Sequence, residues 1–327
     1  MKTTKTGIGI FEGGLASEIR ADQYEGSSEV VEKIFTTGVN VLGGQPKSGK
    51  SNFIAQTVIS LAQGKKLMDT FQAIKTKILY LSLEESRDLA HTRLARFERF
   101  GTSGDENISY EFQCTTIKDG GVHQLINKLE NDRATRVAVV DILQRFKGFE
   151  SRPNYSAEYE ALSMLHQACN ILDVAVIFLH HSRKDMTEGK LLNSLYGSFG
   201  LPGLADTSVL LYRPNNGDRG ILETFSRKMA SVKLDLTFHQ GDGEGFWSYV
   251  GSYNKTRLSP QARQVLDYLA EVRNALKLKD IAQATGLSAG SVHNMLIKMR
   301  YMGFVEKLTH GHYSVSDAGL LRAKQPW

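Results

Sequence analysis

The rhythm of apolar positions changes twice along this chain. Between residues 38 and about 180, short runs of almost continuous apolar residues alternate with longer stretches whose apolar residues recur every three or four positions. The short runs, 38–42, 77–82 (KILYLS), 110–114, 136–140 (RVAVV) and 174–179 (VAVIFL), predict buried strands. The stretches 52–62, 86–100, 122–131 and 155–172 predict helices. Phe53, Ile54, Val58 and Leu61 line one face of the first, and Leu89, Leu94 and Phe97 face inward from the second. Alternation of this kind gives a mostly parallel, helix-covered sheet. After residue 205 the helical spacing stops. Residues 207–212, 221–225, 232–238 and 246–250 read as strands joined by glycine-rich turns, expected as antiparallel hairpins that close the sheet.

A polar stretch at 251–259 marks the second change. Beyond it, 260–272 predicts a helix with Val265, Leu266 and Leu269 inward, and 278–285 a short helix. Gly286 makes a turn, and Ser288 caps a third helix that runs to Tyr301 and ends at Gly303. Residues 304–308 and 313–315 follow as a hairpin, completing the pattern of a winged helix-turn-helix. The expected organisation is an N-terminal arm over 1–30, an α/β domain over 31–252 and a winged-helix domain over 258–327.

One stretch supplies the chemistry. Gly44-Gln45-Pro46-Lys47-Ser48-Gly49-Lys50-Ser51 fits G-x-x-x-x-G-K-[ST] between a predicted strand and a predicted helix. Its glycines let backbone N–H groups curl round phosphate oxygens, and the helix that starts there favours anions. With Asn52 these residues form the expected ATP cradle. Lys50 is expected to reach the β- and γ-phosphates and Ser51 to ligate Mg²⁺. Asp141, just past a buried strand, is the candidate second metal anchor. Glu84, just past another, is the candidate that polarises the attacking water, with Glu85 as the alternative. His180 and His181 follow a third buried strand. A γ-phosphate contact, an ordinary surface position and a metal site compete there, and no third metal ligand is evident. Arg227 and Lys228 lie between two strands, where a cationic pair can project into a neighbouring subunit. In the last module Ser291, His293, Asn294 and Lys298 on the presumed recognition helix, with Arg300, Lys307, His310 and His312 around it, could contact DNA. Winged helices also bind proteins, so that partner stays open.

Composition narrows the setting. The 327 residues are 41% hydrophobic, and no apolar run approaches a membrane span. The start, Met1-Lys2-Thr3-Thr4-Lys5, has no apolar signal core, and Cys114 and Cys169 sit in apolar stretches without zinc spacing. A cytoplasmic protein with free thiols and no membrane partner is expected. The charge of +5 permits a nucleic-acid partner without demanding one.

Residues 38–250 resemble the RecA-like ATPase core of the RepA-type plasmid replicative helicases and, more distantly, the DnaB-type helicases. The likeness rests on GQPKSGKS, YLSLEES, VAVVDILQRF, IFLHHSRK and GSFGLPGLADTSVLLYR in that order. It implies Glu84 as the catalytic carboxylate, Asp141 as the acid of the metal strand, His180 at the γ-phosphate sensor position, and Arg227 and Lys228 near trans-acting cations. It also implies ring hexamers that bind ATP between subunits and hold single-stranded DNA on channel loops, here 184–192 and 195–203. The winged helix is an addition to that pattern. The favoured expectation is an ATP-driven single-stranded DNA helicase or translocase of plasmid or phage-type replication, recruited through the winged helix to duplex DNA or to a replication protein. The alternative is a DNA-binding ATPase regulator that does not unwind.

Overall fold

A computed structural model describes residues 28–148, 155–182, 201–214, 217–241, 244–253, 258–308 and 311–324. Most of the expected N-terminal arm, 184–192 and 195–200 of the expected channel loops, and His310 lie outside these residues. A small hairpin, β1 (Glu29–Val31) and β2 (Phe35–Thr36), leads into β3 (Gly38–Gly44) and α1 (Lys50–Gln63). Then come β4 (Lys77–Ser82), α2 (Arg87–Arg96), β5 (Ile108–Glu111), α3 (Gly121–Asn131), β6 (Thr135–Asp141), α4 (Leu143–Lys147), α5 (Tyr155–Leu172), β7 (Ala175–His181), α6 (Leu201–Leu204) and β8 (Thr207–Tyr212). Strands β9 (Arg219–Ser226), β10 (Lys233–Gly241) and β11 (Glu244–Ser252) complete a nine-stranded sheet of order β11-β10-β9-β8-β3-β7-β6-β4-β5. From β8 to β5 neighbours are parallel; β8, β9, β10 and β11 pair antiparallel. The expected α/β architecture with closing hairpins is therefore present.

Both faces of β3, β4, β6, β7 and β8 are buried, which is why these strands read as nearly unbroken apolar runs, while the edge strand β5 is only part-buried. Leu42, Tyr80, Val139, Ile177 and Val209 pack with Phe53, Ile54, Val58 and Leu61 of α1. Val41, Leu81, Val140, Phe178 and Leu210 point the other way, onto Val122 and Leu125 of α3, Phe146 of α4 and Leu165 of α5. The order of strands fixes the site. β3, which feeds the glycine loop, does not touch β6, which ends at Asp141; β7 lies between them.

The second helix corrects one expectation. It spans only Arg87–Arg96, and Leu89, expected inward, is 56% exposed while Ala90 is buried. Ser86 caps it by accepting from the Leu89 N–H, which places Leu89 in the exposed first turn and leaves Ala90 as its buried residue.

The C-terminal part is α7 (Pro260–Val272), β12 (Leu276–Lys277), α8 (Leu278–Thr285), α9 (Ala289–Tyr301), β13 (Val305–Lys307), β14 (His312–Val315) and α10 (Asp317–Lys324). Its three strands run in the order β12-β14-β13. Its own core holds Val265, Leu266, Leu269, Ile281, Val292, Leu296 and Met299. Ser259 and Ser288 cap α7 and α9 as their side chains accept from Ala262 and Ser291 N–H groups. The helix α10 was not apparent in the sequence. It is fastened by Arg263, 6% exposed, whose guanidinium donates to the Arg322 and Ala323 carbonyls and to Asp267.

Candidate active site

The carboxyl ends of β3, β7, β6 and β4 meet at one edge of the sheet, where open α/β folds bind ligands. The loop after β3 turns on two left-handed residues, Lys47 (φ 64°) and Gly49 (φ 86°). A Cβ at Gly44 would stand 2.3 Å from the Leu211 carbonyl, so the strand can enter the loop there only as glycine. Lys50 is nearly buried. Its ammonium donates to the Gly44 and Gln45 carbonyls, both at 2.8 Å. Burial lowers its pKa to about 8, against the pull of Asp141 and Glu84. The Ser48 hydroxyl is buried with no hydrogen-bond partner. A buried ammonium, an orphaned hydroxyl and a helix start converge on one cradle, and this donor set fits a polyphosphate. Ser51, the second residue of α1, and the carboxylate of Asp141 are hard oxygen donors of the kind Mg²⁺ takes alongside substrate phosphates. The Asn52 side chain turns elsewhere and donates to the Gly245 carbonyl of β11.

Asp141 is held from two sides. The Tyr80 hydroxyl donates to its Oδ2 at 2.7 Å, and the Arg93 guanidinium stands 3.6 Å from the same oxygen. Asp141 is not a helix cap, since α4 starts after Ile142 with no side-chain cap. Arg93 also pairs with Glu85. Burial raises the pKa of Glu85, against the pull of Arg93. Burial, then the charge of Asp141, keeps Tyr80 protonated well above the usual tyrosine range. The two acids of YLSLEES thus differ: Glu85 is engaged by Arg93, while Glu84 is exposed and lies 4.0 Å from His181. Sequence reasoning missed Tyr80 and Arg93. Their signals are a tyrosine two residues before the end of the strand beside β6, and an arginine two helical turns after Glu85.

The histidines depart from expectation. β7 runs through both, so strand alternation sends them to opposite faces. His181 follows Ile177 and Leu179 onto the α1 face, shared with Tyr80 and Asp141; His180 follows Phe178 onto the other. His181, not His180, therefore sits beside Glu84 and feels Asp141, while both rings lie within the field of Lys50. Burial and then Lys50 lower its pKa, outweighing Glu84 and Asp141. His180 drops further, to about 4, through burial, His181, Lys50 and Lys147. Neutral imidazoles at neutral pH are hydrogen-bonding groups rather than cations. Among the described residues no three His, Cys, Asp or Glu converge on a metal.

Arg227 and Lys228 lie at the opposite edge. Thr207, which pairs with Ser226, lies beside Asn40 near the start of β3. Six residues of strand separate that end from Gly44, about 20 Å at strand spacing. Lys228, expected to project outward, is held within its own chain: its ammonium donates to the Thr37 carbonyl at 2.8 Å and to Asn170, 3.7 Å from Asp206. Arg227 is exposed and donates to the Gly203 carbonyl.

On α9, Ser291, His293, Asn294, Lys298 and Arg300 are exposed, as are Ile297 and Tyr301. No helix among the described residues is long and apolar enough to cross a membrane.

A family model described as an AAA domain matches residues 21–187, and one described as an IclR helix-turn-helix domain matches residues 262–309. No curated protein matches. Among solved structures, a KaiC-like protein from the hyperthermophilic archaeon Pyrococcus horikoshii OT3 is similar over 67% of this chain and 93% of its own, at 14% identity and a TM-score of 0.45. The RadB recombinase is similar over 66% and 92%, at 14% identity and a TM-score of 0.44.

Proposed function

The chain belongs to the AAA-domain family, and from that premise we propose that it is a Mg²⁺-dependent ATPase that works on DNA as an oligomeric single-strand translocase or helicase. The observation that carries the ATPase part of this reading is the meeting of Lys50, Asp141, Glu84 and His181 at one sheet edge, in mutual electrostatic reach; the helix-turn-helix match over 262–309 supports the DNA part.

In this mechanism Lys50 leaves the Gly44 and Gln45 carbonyls for the β- and γ-phosphates, and the first N–H groups of α1 bind the same oxygens. Ser51 and Asp141 would hold Mg²⁺, which when bound would supply positive charge against the phosphates. Tyr80 and Arg93 orient the Asp141 carboxylate. Glu84 orients the attacking water and takes its proton, and the neutral His181 beside it hydrogen-bonds the γ-phosphate or that water. Arg227 from a neighbouring subunit supplies positive charge to the transition state.

A second reading, a duplex-binding regulator without unwinding, is favoured by one observation. Residues 258–324 carry nine lysines and arginines against five aspartates and glutamates, and α9 has no acid. Nearly all of the chain's net positive charge therefore sits on its helix-turn-helix part, where it would meet phosphates.

Measuring ATP hydrolysis with and without single-stranded DNA separates the two. Strong stimulation by single strands supports the translocase. Hydrolysis indifferent to single strands, with tight duplex binding, moves the reading to the regulator. In either case Glu84→Gln is expected to lower turnover at least ~100-fold while nucleotide still binds; undiminished turnover would remove Glu84 from its role.

A further inference from the structure

We propose that Trp247, on the edge strand β11, is a positioning residue of the nucleotide loop: its indole holds Gly49 in the left-handed conformation that aims the start of α1 at phosphate. This rests on the reading of residues 44–51 as a nucleotide site.

The geometry joins β11 to the loop at several points. The Trp247 indole N–H donates to the Gly49 carbonyl at 3.0 Å. That carbonyl also accepts the first helical bond, from Phe53 N–H at 3.0 Å, so its two lone pairs are both used and its direction is set. The ring lies against the Cα of Gly49, where a Cβ would come within 2.8 Å of it. Gly49 is therefore glycine for two reasons, its positive φ and the indole above it.

The indole is itself fixed. Gln56 of α1 donates to the Trp247 carbonyl at 3.0 Å and accepts from its N–H at 2.7 Å, taking the place of a further strand. Asn52 donates to the Gly245 carbonyl of the same strand. Phe238 packs on the ring with centroids 4.7 Å apart. Gly220 gives it room, since a Cβ there would stand 2.0 Å from the indole. Trp247 is 1% exposed. An edge hairpin that could have paired with another chain is thus closed onto α1, and its one indole donor goes to the loop. A tryptophan needed only for packing would not require a donor aimed at the carbonyl of the loop's last glycine.

The chain has two tryptophans, Trp247 and Trp327, so Trp327→Phe leaves Trp247 as the sole indole emitter. In that background Mg²⁺-ATP is expected to change the Trp247 emission saturably, with the same midpoint as binding of a fluorescently labelled ATP analogue. Trp247→Phe keeps an aromatic ring but removes the donor together with the pyrrole half of the indole, which leaves a small cavity. It is expected to lower Tm through that cavity and, beyond this, to raise nucleotide Kd and KM about tenfold, the worth of one hydrogen bond, with kcat little changed. Gln56→Met, which frees the clamp without touching the ring, is expected to act in the same direction. If labelled nucleotide binds but the emission does not move, the proposal is overturned and the nucleotide site stands; the same follows if Trp247→Phe lowers only Tm. If the parent chain binds no nucleotide, both the proposal and the reading beneath it fall. The emission measurement uses the native ring, so it decides the matter even where Trp247→Phe does not fold.

Discussion

The buried ammonium of Lys50 makes nucleotide affinity depend on pH in a window where few other groups titrate. Free of phosphate, its pKa is about 8. Polyphosphate anions around it restore the pKa toward or above the ordinary lysine value near 10.4. Binding above pH 8 must therefore take up a proton, and affinity falls by one factor of ten per pH unit once Lys50 is mostly neutral. From pH 7 to pH 9 the expected loss is about tenfold, or about 1.4 kcal/mol, with uptake approaching one proton at the upper end. The terminal phosphate, with a last pKa near 6, is already ionised throughout. The free chain should respond with the opposite sign. Its folded Lys50 pKa lies below the unfolded value, so the cost of burying the charge, about 3 kcal/mol, is full below pH 8 and is relieved as pH rises toward 10.4. Labelled-nucleotide titrations at half-unit pH steps measure the first effect. Calorimetry in two buffers of different ionisation enthalpy counts the protons. Lys50→Arg, which stays charged, should flatten the slope whatever its absolute affinity. A flat wild-type profile from pH 7 to 9 with no proton uptake would refute the account of Lys50.

His180 predicts acid lability. Its folded pKa of about 4 lies below the unfolded value near 6.5, so the stability tied to its neutral form is present above 6.5 and is lost as pH falls toward 4. Between pH 7.5 and 5 the loss is about 2 kcal/mol. Thermal melts across that range should show a shallower decline for His180→Gln, and an identical decline would contradict the assignment. Arg263→Met should release α10, because the Arg322 and Ala323 carbonyls lose their donor, at a cost of about 2 kcal/mol. Limited proteolysis of the full chain should then cut within 317–324 sooner than in the parent, with ATP hydrolysis unaffected.

How much of this could be read in the sequence depended on the range of the physics involved. The parallel strands were legible because burial on both faces leaves continuous apolar runs, and the glycine loop because its backbone geometry restricts residue type. The fate of the two histidines was not legible. It turns on whether β7 ends before them or passes through them, and that is set by pairing: Gly43 and Gly44 of β3 extend the ladder opposite His180 and His181. Leu89 was misplaced for a similar reason, since a single cap at Ser86 places it in the exposed first turn of a short helix. Tyr80, Arg93 and Trp247 act on groups 61, 48 and 198 residues away in sequence. Only tertiary structure brings such pairs together, and no local spacing announces them. The cis engagement of Lys228 belongs to the same class, because Thr37 is 191 residues distant.

The position of Arg227 constrains how subunits could cooperate. It lies at the edge of the sheet opposite the glycine loop, about 20 Å away at strand spacing, so it cannot reach a phosphate in its own site. If it serves catalysis, one subunit's lower edge must face its neighbour's nucleotide, a head-to-tail contact that closes into a ring or continues as a filament. Mixing two inactive variants tests this. Lys50→Met destroys the site but keeps Arg227, and Arg227→Ala keeps the site but removes the cation. Each alone should be nearly inactive. Randomly co-assembled in equal amounts, an intact site meets an intact neighbouring arginine at about one junction in four, so the mixture should regain about a quarter of parental hydrolysis. No recovery on mixing, or full activity of Arg227→Ala alone, would mean that Arg227 only tethers Gly203 within its own chain and that the head-to-tail contact has lost its catalytic argument.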